Sequence, residues 1–204
     1  MPLSPDEIQR SRTPRDLLAF VESVRERAKT DVVLRIAGHL RHGYLKEFFD
    51  EVIPLARYAV AVYPENAMVR PVLGNQGYDA EVLDAEGVLI ERIEIANPVD
   101  GQARAEVGRE LAECGFGGLR VGEPGYDIEE LIPIIERTAT KKAVKDYSDA
   151  TVVFNISALP AIQGFEERQE EQVARIRKIL AKKDFRAKRV FLLLPSDKVV
   201  CISD

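Results

Sequence analysis

The chain is poor in cysteine and histidine, has no long apolar run, and carries no surplus of positive charge. Its two cysteines, Cys114 and Cys201, are too few for a disulfide framework and fit a reducing cytosol. No stretch approaches the ~18 consecutive apolar residues of a membrane-spanning helix, so no membrane partner is expected. The region Met1 to Lys29 is dense in charge and lacks the apolar centre of a signal peptide, so the expected compartment is the cytoplasm. With 29 basic against 34 acidic side chains the formal charge is −5, which argues against coating nucleic acid by bulk attraction but leaves room for a local basic groove. The glycine-rich stretch Gly115 to Gly125 lacks the Gly-Lys-Ser/Thr ending of a phosphate loop. There is no Gly-X-Ser-X-Gly nucleophile elbow and no His-Glu-X-X-His zinc motif.

What remains is an ordinary globular composition, 204 residues with 46% apolar and 31% charged. That length fits one domain, 1–204, divided here into a helical part, 1–64, and an α/β core, 65–204. Thr13-Pro14 opens a helix, as a capping residue followed by proline at the first helical position. Leu17, Leu18, Val21 and Val24 follow at helical spacing. The pattern continues through Asp31 to Phe49, interrupted by Gly38 and Gly43, while Leu55 to Tyr63 fits neither period. Met68 to Leu73 reads as a strand that Pro71 directs to a sheet edge. Tyr78 to Leu83 and Val88 to Ala96 form a hairpin. Helices over Ala103 to Cys114, Asp127 to Lys145 and Gly164 to Lys183 alternate with strands over Ala150 to Ser157, Lys188 to Leu194 and Lys198 to Ile202. The expected fold is α/β, a mixed central sheet flanked by helices with a helical N-terminal extension.

The hairpin carries the chemistry. With Ala85 and Glu86 at its tip, Asp79 falls opposite Arg92 and Glu81 opposite Ile90. Strand alternation then sets Asp79, Glu81, Arg92 and Glu94 on one face, with Glu94 diagonal to Asp79. Two readings fit. Asp79 and Arg92 form a cross-strand ion pair on a solvated face, or Asp79 and Glu94 share a divalent cation, since Mg²⁺ prefers oxygen ligands.

The string Gly77-Tyr78-Asp79-Ala80-Glu81-Val82-Leu83, a tight turn, and Ile93-Glu94-Ile95-Ala96-Asn97-Pro98 together resemble the restriction-endonuclease-like superfamily with its PD-(D/E)XK motif. The resemblance covers about Ala67 to Ser157 in order of elements. Asp79 matches the motif's Asp and Glu94 its Glu; Tyr78 stands where proline would be, and Ala96 where the motif's lysine would be. It implies a restriction-endonuclease-like core, Mg²⁺ or Mn²⁺ held by Asp79 and Glu94, and hydrolysis of a phosphodiester. Divergent members of the superfamily move the lysine to the following helices. Among Lys141, Lys142 and Lys145, Lys142 lies at the edge of the apolar stripe Ile132, Ile135, Ala139 and Ala143 and is the candidate catalytic cation. The alternative is a lysine snorkelling from a buried rim. The absent motif lysine also fits a catalytically inactive module of the same fold that binds protein or nucleic acid.

Three further groups carry candidate chemistry. His39 and His42 are three apart, as two zinc ligands on one helix face would be, but two ligands are not a site. Arg175, Lys178 and Lys182 share a helical face and form a basic stripe suited to DNA or RNA phosphates. Acids early and bases late in that helix also fit its dipole. Cys114, at a helix end with no histidine near in sequence, is expected to be a small buried residue.

Overall fold

The computed structural model describes residues 3–99, 101–114, 128–156, 166–195 and 197–203. The chain divides into two compact units, Met1–Ile95 with Arg104–Gly117, and Ala96–Ala103 with Gly118–Asp204. Its strands form a six-stranded mixed sheet flanked by helices, in the order β1 to β6 along the chain.

The first unit opens with helices α1 (Pro5–Ile8), α2 (Pro14–Thr30), α3 (Val32–Leu40) and α4 (Tyr44–Glu47). Ser4, Thr13 and Asp31 cap the first three, each side chain accepting from a backbone amide of the first turn. Gly38 does not break α3: it is buried within the helix, and a Cβ there would stand 2.8 Å from the Phe49 ring. The helix ends instead at Arg41, whose φ of 49° is left-handed. From α4 the chain runs through a π-helical turn, Phe48–Val52, into α5 (Ile53–Val62). Leu55 to Tyr63, which fits neither period in the sequence, is mostly helix because α5 is buried on several sides, at Pro54, Leu55, Ala56, Tyr58 and Ala59. Phe48 is fully buried, with edge-to-face contacts to Phe20 at 6.0 Å and Phe49 at 5.4 Å.

A meander of β1 (Met68–Pro71), β2 (Ala80–Leu83) and β3 (Leu89–Ala96) follows. β1 is an edge strand, as Pro71 requires, and Val69 and Arg12 exchange backbone hydrogen bonds along it. After α6 (Gly101–Cys114), the second unit carries α7 (Ile128–Ala143), β4 (Tyr147–Asn155), α8 (Glu166–Leu180), β5 (Ala187–Leu193) and β6 (Val199–Ser203). β4 pairs parallel with β5, and β5 antiparallel with β6. Val152, Val153 and Phe154 of β4 are all fully buried, the pattern of a strand covered on both faces. α7 contributes Ile128, Leu131, Ile135 and Ala139 to the second unit's core, and α8 contributes Val173, Ile176 and Leu180. The glycine-rich stretch Gly115 to Gly125 and Asp127, the expected first residue of the helix to Lys145, lie outside the described residues.

Candidate active site

The hairpin register differs from the one read in the sequence. Glu81 stands opposite Arg92 and Ala80 opposite Ile93, so Asp79 is not paired across the strands with Arg92. The cause is the turn. Asp84 Oδ1 accepts from the amides of Glu86 and Val88, and Gly87 takes φ 83°, which only glycine adopts cheaply. These bonds lengthen the loop, and a register shift between Val82 and Leu83 follows. The slip totals two residues, so each side chain keeps its face.

Asp79 lies in the bend just before β2, where the ladder with β3 has ended at Ala80 and Ile93. Two hydrogen bonds hold it there. The Asp79 amide donates to the Ile93 carbonyl at 2.7 Å. The Ile95 amide donates to Asp79 Oδ2, also at 2.7 Å. Asp79 therefore bridges the two residues that flank Glu94. Its own carbonyl accepts from Val72 at 2.9 Å, so Asp79 also ties the strand that precedes it. Glu94 is buried, at 7% exposure.

On the same face the chain neutralises its other carboxylate. Glu81 pairs with Arg70 and accepts from the Tyr78 hydroxyl at 3.0 Å. Burial pushes its proton affinity up, but bonds from Arg70 and Tyr78, and the charges of Arg70 and Arg92, outweigh this and hold the carboxyl below its usual range. The Arg92 guanidinium lies 4.8 Å from the Tyr78 ring centre.

A third acid was missed in the sequence. Glu51, in the π-helical turn, has its pKa pushed up to about 8. Burial is the main cause; the negative charges of Asp79, Glu47 and Asp50 add to it, and Lys46 opposes it. Asp50 beside it is paired with Arg41 and with Lys46. Glu51 thus feels the charge of the same Asp79 whose hydrogen bonds reach either side of Glu94. Such π turns are frequent where a helix presents a functional group. A visible cue lay in the run Glu47-Phe48-Phe49-Asp50-Glu51, where acids interrupt large apolar residues.

The remaining sequence candidates fall elsewhere. Lys142 belongs to the second unit; it is half-buried on α7, and its Nζ lies 5.7 Å from the Tyr147 ring centre. His39 lies in the last turn of α3 while His42 lies beyond the left-handed Arg41, so the two do not share a helix face. Burial, then Arg35 and Arg41, lower the His39 pKa. Arg175 of the basic stripe is bound to Glu129 of α7 at 2.8 Å. Cys114 is exposed rather than buried. Among the described residues, no three of His, Cys, Asp and Glu converge into a ready-made cation site.

No protein-family model, curated protein or solved structure matches this chain.

Proposed function

We propose that this chain is a divergent metal-dependent nuclease acting on phosphodiester bonds, with Asp79 and Glu94 as the residues that would hold Mg²⁺ or Mn²⁺. The observation that carries this is the pair of hydrogen bonds by which Asp79 bridges Ile93 and Ile95, on either side of Glu94. The donor set fits the ion. Mg²⁺ keeps several waters and binds through one or two carboxylates plus substrate phosphates, so it does not need three protein ligands. The proton affinity of Glu51, raised first by burial and then by the negative charges of Asp79 and Glu47, is compatible with a cation nearby. When bound, such an ion supplies charge neutralisation at a phosphate oxygen and a more acidic water.

The chain's own groups set the rest. The Ile95 amide fixes the Asp79 carboxylate, so its orientation is built before substrate arrives. Burial of Glu94 strengthens its attraction for positive charge. Glu51 exchanges a proton near neutral pH, the property that general acid–base catalysis needs. The nucleic acid supplies the phosphodiester.

The test is cleavage of plasmid, linear and single-stranded DNA with Mg²⁺ or Mn²⁺. Activity that Asp79→Ala lowers by about a hundredfold or more supports the reading. No cleavage of any substrate, with no metal-dependent rise in Tm, favours the second reading. That reading is an inactive nuclease-fold module, and fully buried Ala96 at the lysine position is the observation in its favour.

A further inference from the structure

In the second unit, α7 and α8 lie side by side and end together. Lys183 Nζ donates to Thr140 Oγ1 at 3.0 Å, and Arg186 pairs with Asp146 at 2.7 Å, so both the helix ends and the turns that follow them are clamped. The Tyr147 amide donates to the Arg186 carbonyl at 2.7 Å, where β4 and β5 begin to pair. Lys141, Lys145, Lys178 and Lys182 are gathered at this end, all exposed, with Lys183 half-buried between the helices. Among the described residues these first four make no side-chain ion pair or hydrogen bond. The nearby carboxylates are Asp146, held by Arg186, together with Asp149 and Asp184.

Helix dipoles do not account for this. They favour cations in the last turn, which covers Lys141 and Lys178. Lys145, Lys182 and Lys183 lie beyond the last helical residues, Ala143 and Leu180, where the effect fades. Clamping two basic ends together adds repulsion that folding alone does not reward. The chain as a whole carries a net charge of −5, so the concentration is local.

We infer that the paired C-terminal ends of α7 and α8 are a docking surface for the phosphate backbone of duplex nucleic acid. The choice of nucleic acid over other polyanions rests on the nuclease reading; the surface itself does not. The centre of this surface is the helix ends rather than the face beginning at Arg175, because Arg175 is already committed to Glu129. Backbone contact of this kind is insensitive to sequence and falls steeply with salt.

The experiment uses the full chain and a fluorescent DNA duplex of about 25 base pairs in EDTA, so that binding is read without cleavage. Affinity should fall with salt, and each lysine removed should reduce the log–log slope by about one. Lys141→Glu with Lys182→Glu should weaken binding about tenfold or more at low salt. Lys141→Gln with Lys182→Gln gives a smaller loss and serves if the charge reversal misfolds. Arg15→Glu, an exposed cation of the first unit, should change affinity less than about twofold. Retained binding by Asp79→Asn supports the surface whether or not the chain cleaves DNA, so failure of the nuclease reading and failure of this one are distinguishable. Absence of binding, equal losses in Arg15→Glu and the lysine variants, or equal competition by polyglutamate or phosphatidylserine vesicles would overturn it.

Discussion

Glu81 and Glu51 belong to the same compact unit, yet their proton affinities move in opposite directions. Glu81 is the more enclosed by accessible surface, at 8% exposure, and still remains readily ionised. Arg70, Tyr78 and Arg92 surround it and supply the opposite charge and hydrogen bonds that burial takes away. Glu51 has Lys46 nearby, but Asp79, Glu47 and Asp50 outweigh it. Burial raises the proton affinity of both acids; at Glu81 the partners outweigh it, while at Glu51 burial dominates and the neighbouring charges add to it. One carboxylate has been satisfied by the fold, and the other sits in an excess of negative charge beside Asp79.

The sharpest way to break this comparison is at Asp79. Asp79→Asn keeps an oxygen that can accept the Ile95 amide but loses the charge that Mg²⁺ needs. It is expected to lower cleavage about a hundredfold while costing less than about 1 kcal/mol of stability. Asp79→Ala should lose both, with an added cost of about 1–2 kcal/mol for the abandoned amide, read by chemical denaturation. Equal stability of the two variants would mean that the strand bond carries no weight.

Glu51 gives a smaller, pH-dependent effect. Its folded pKa is raised, so the folded state binds more protons than the unfolded chain between the ordinary carboxyl range and about 8. This group's favourable contribution is complete below that window and declines as pH rises through it. Glu51→Gln should therefore raise Tm at pH 8.5 relative to the parent, and do so less at pH 5. Since Glu51 is only partly buried, the gain is on the order of 1 kcal/mol after solvent screening. A difference that stays constant with pH would remove Glu51 from the acidic group.

The smallest effect belongs to the satisfied side. Arg70 is half-exposed, so Arg70→Met should cost less than about 1 kcal/mol, with the loss shrinking in high salt. A large loss would show that Glu81 depends on that one partner rather than on the group of three.

Much of the architecture was legible in the sequence because caps, periodicity and turn residues agreed with one another. Thr13-Pro14 marked the start of α2, and Pro71 marked an edge. The shared face of Glu81 and Arg92 was also legible, because a slip of two residues leaves strand alternation intact. The register was not. It depends on Asp84 bonding two amides and on Gly87 turning left-handed, and several loop lengths fit the same residues. The partnership of Asp79 with Glu51 was hidden for another reason. It couples the charge of a bend before β2 to a helical turn 28 residues earlier, and no local period reports such a coupling. α5 escaped assignment because burial on several sides erases the amphipathic signal.

Arg12 has a wider role than its place before α2 suggests. By exchanging backbone hydrogen bonds with Val69, it occupies donors and acceptors that an edge strand would otherwise offer to a passing chain. Pro71 removes one more donor farther along. A few residues outside any regular element therefore guard that border against strand-by-strand polymerisation. Cutting the chain after Arg12 would turn a sealed margin into a template for fibre growth.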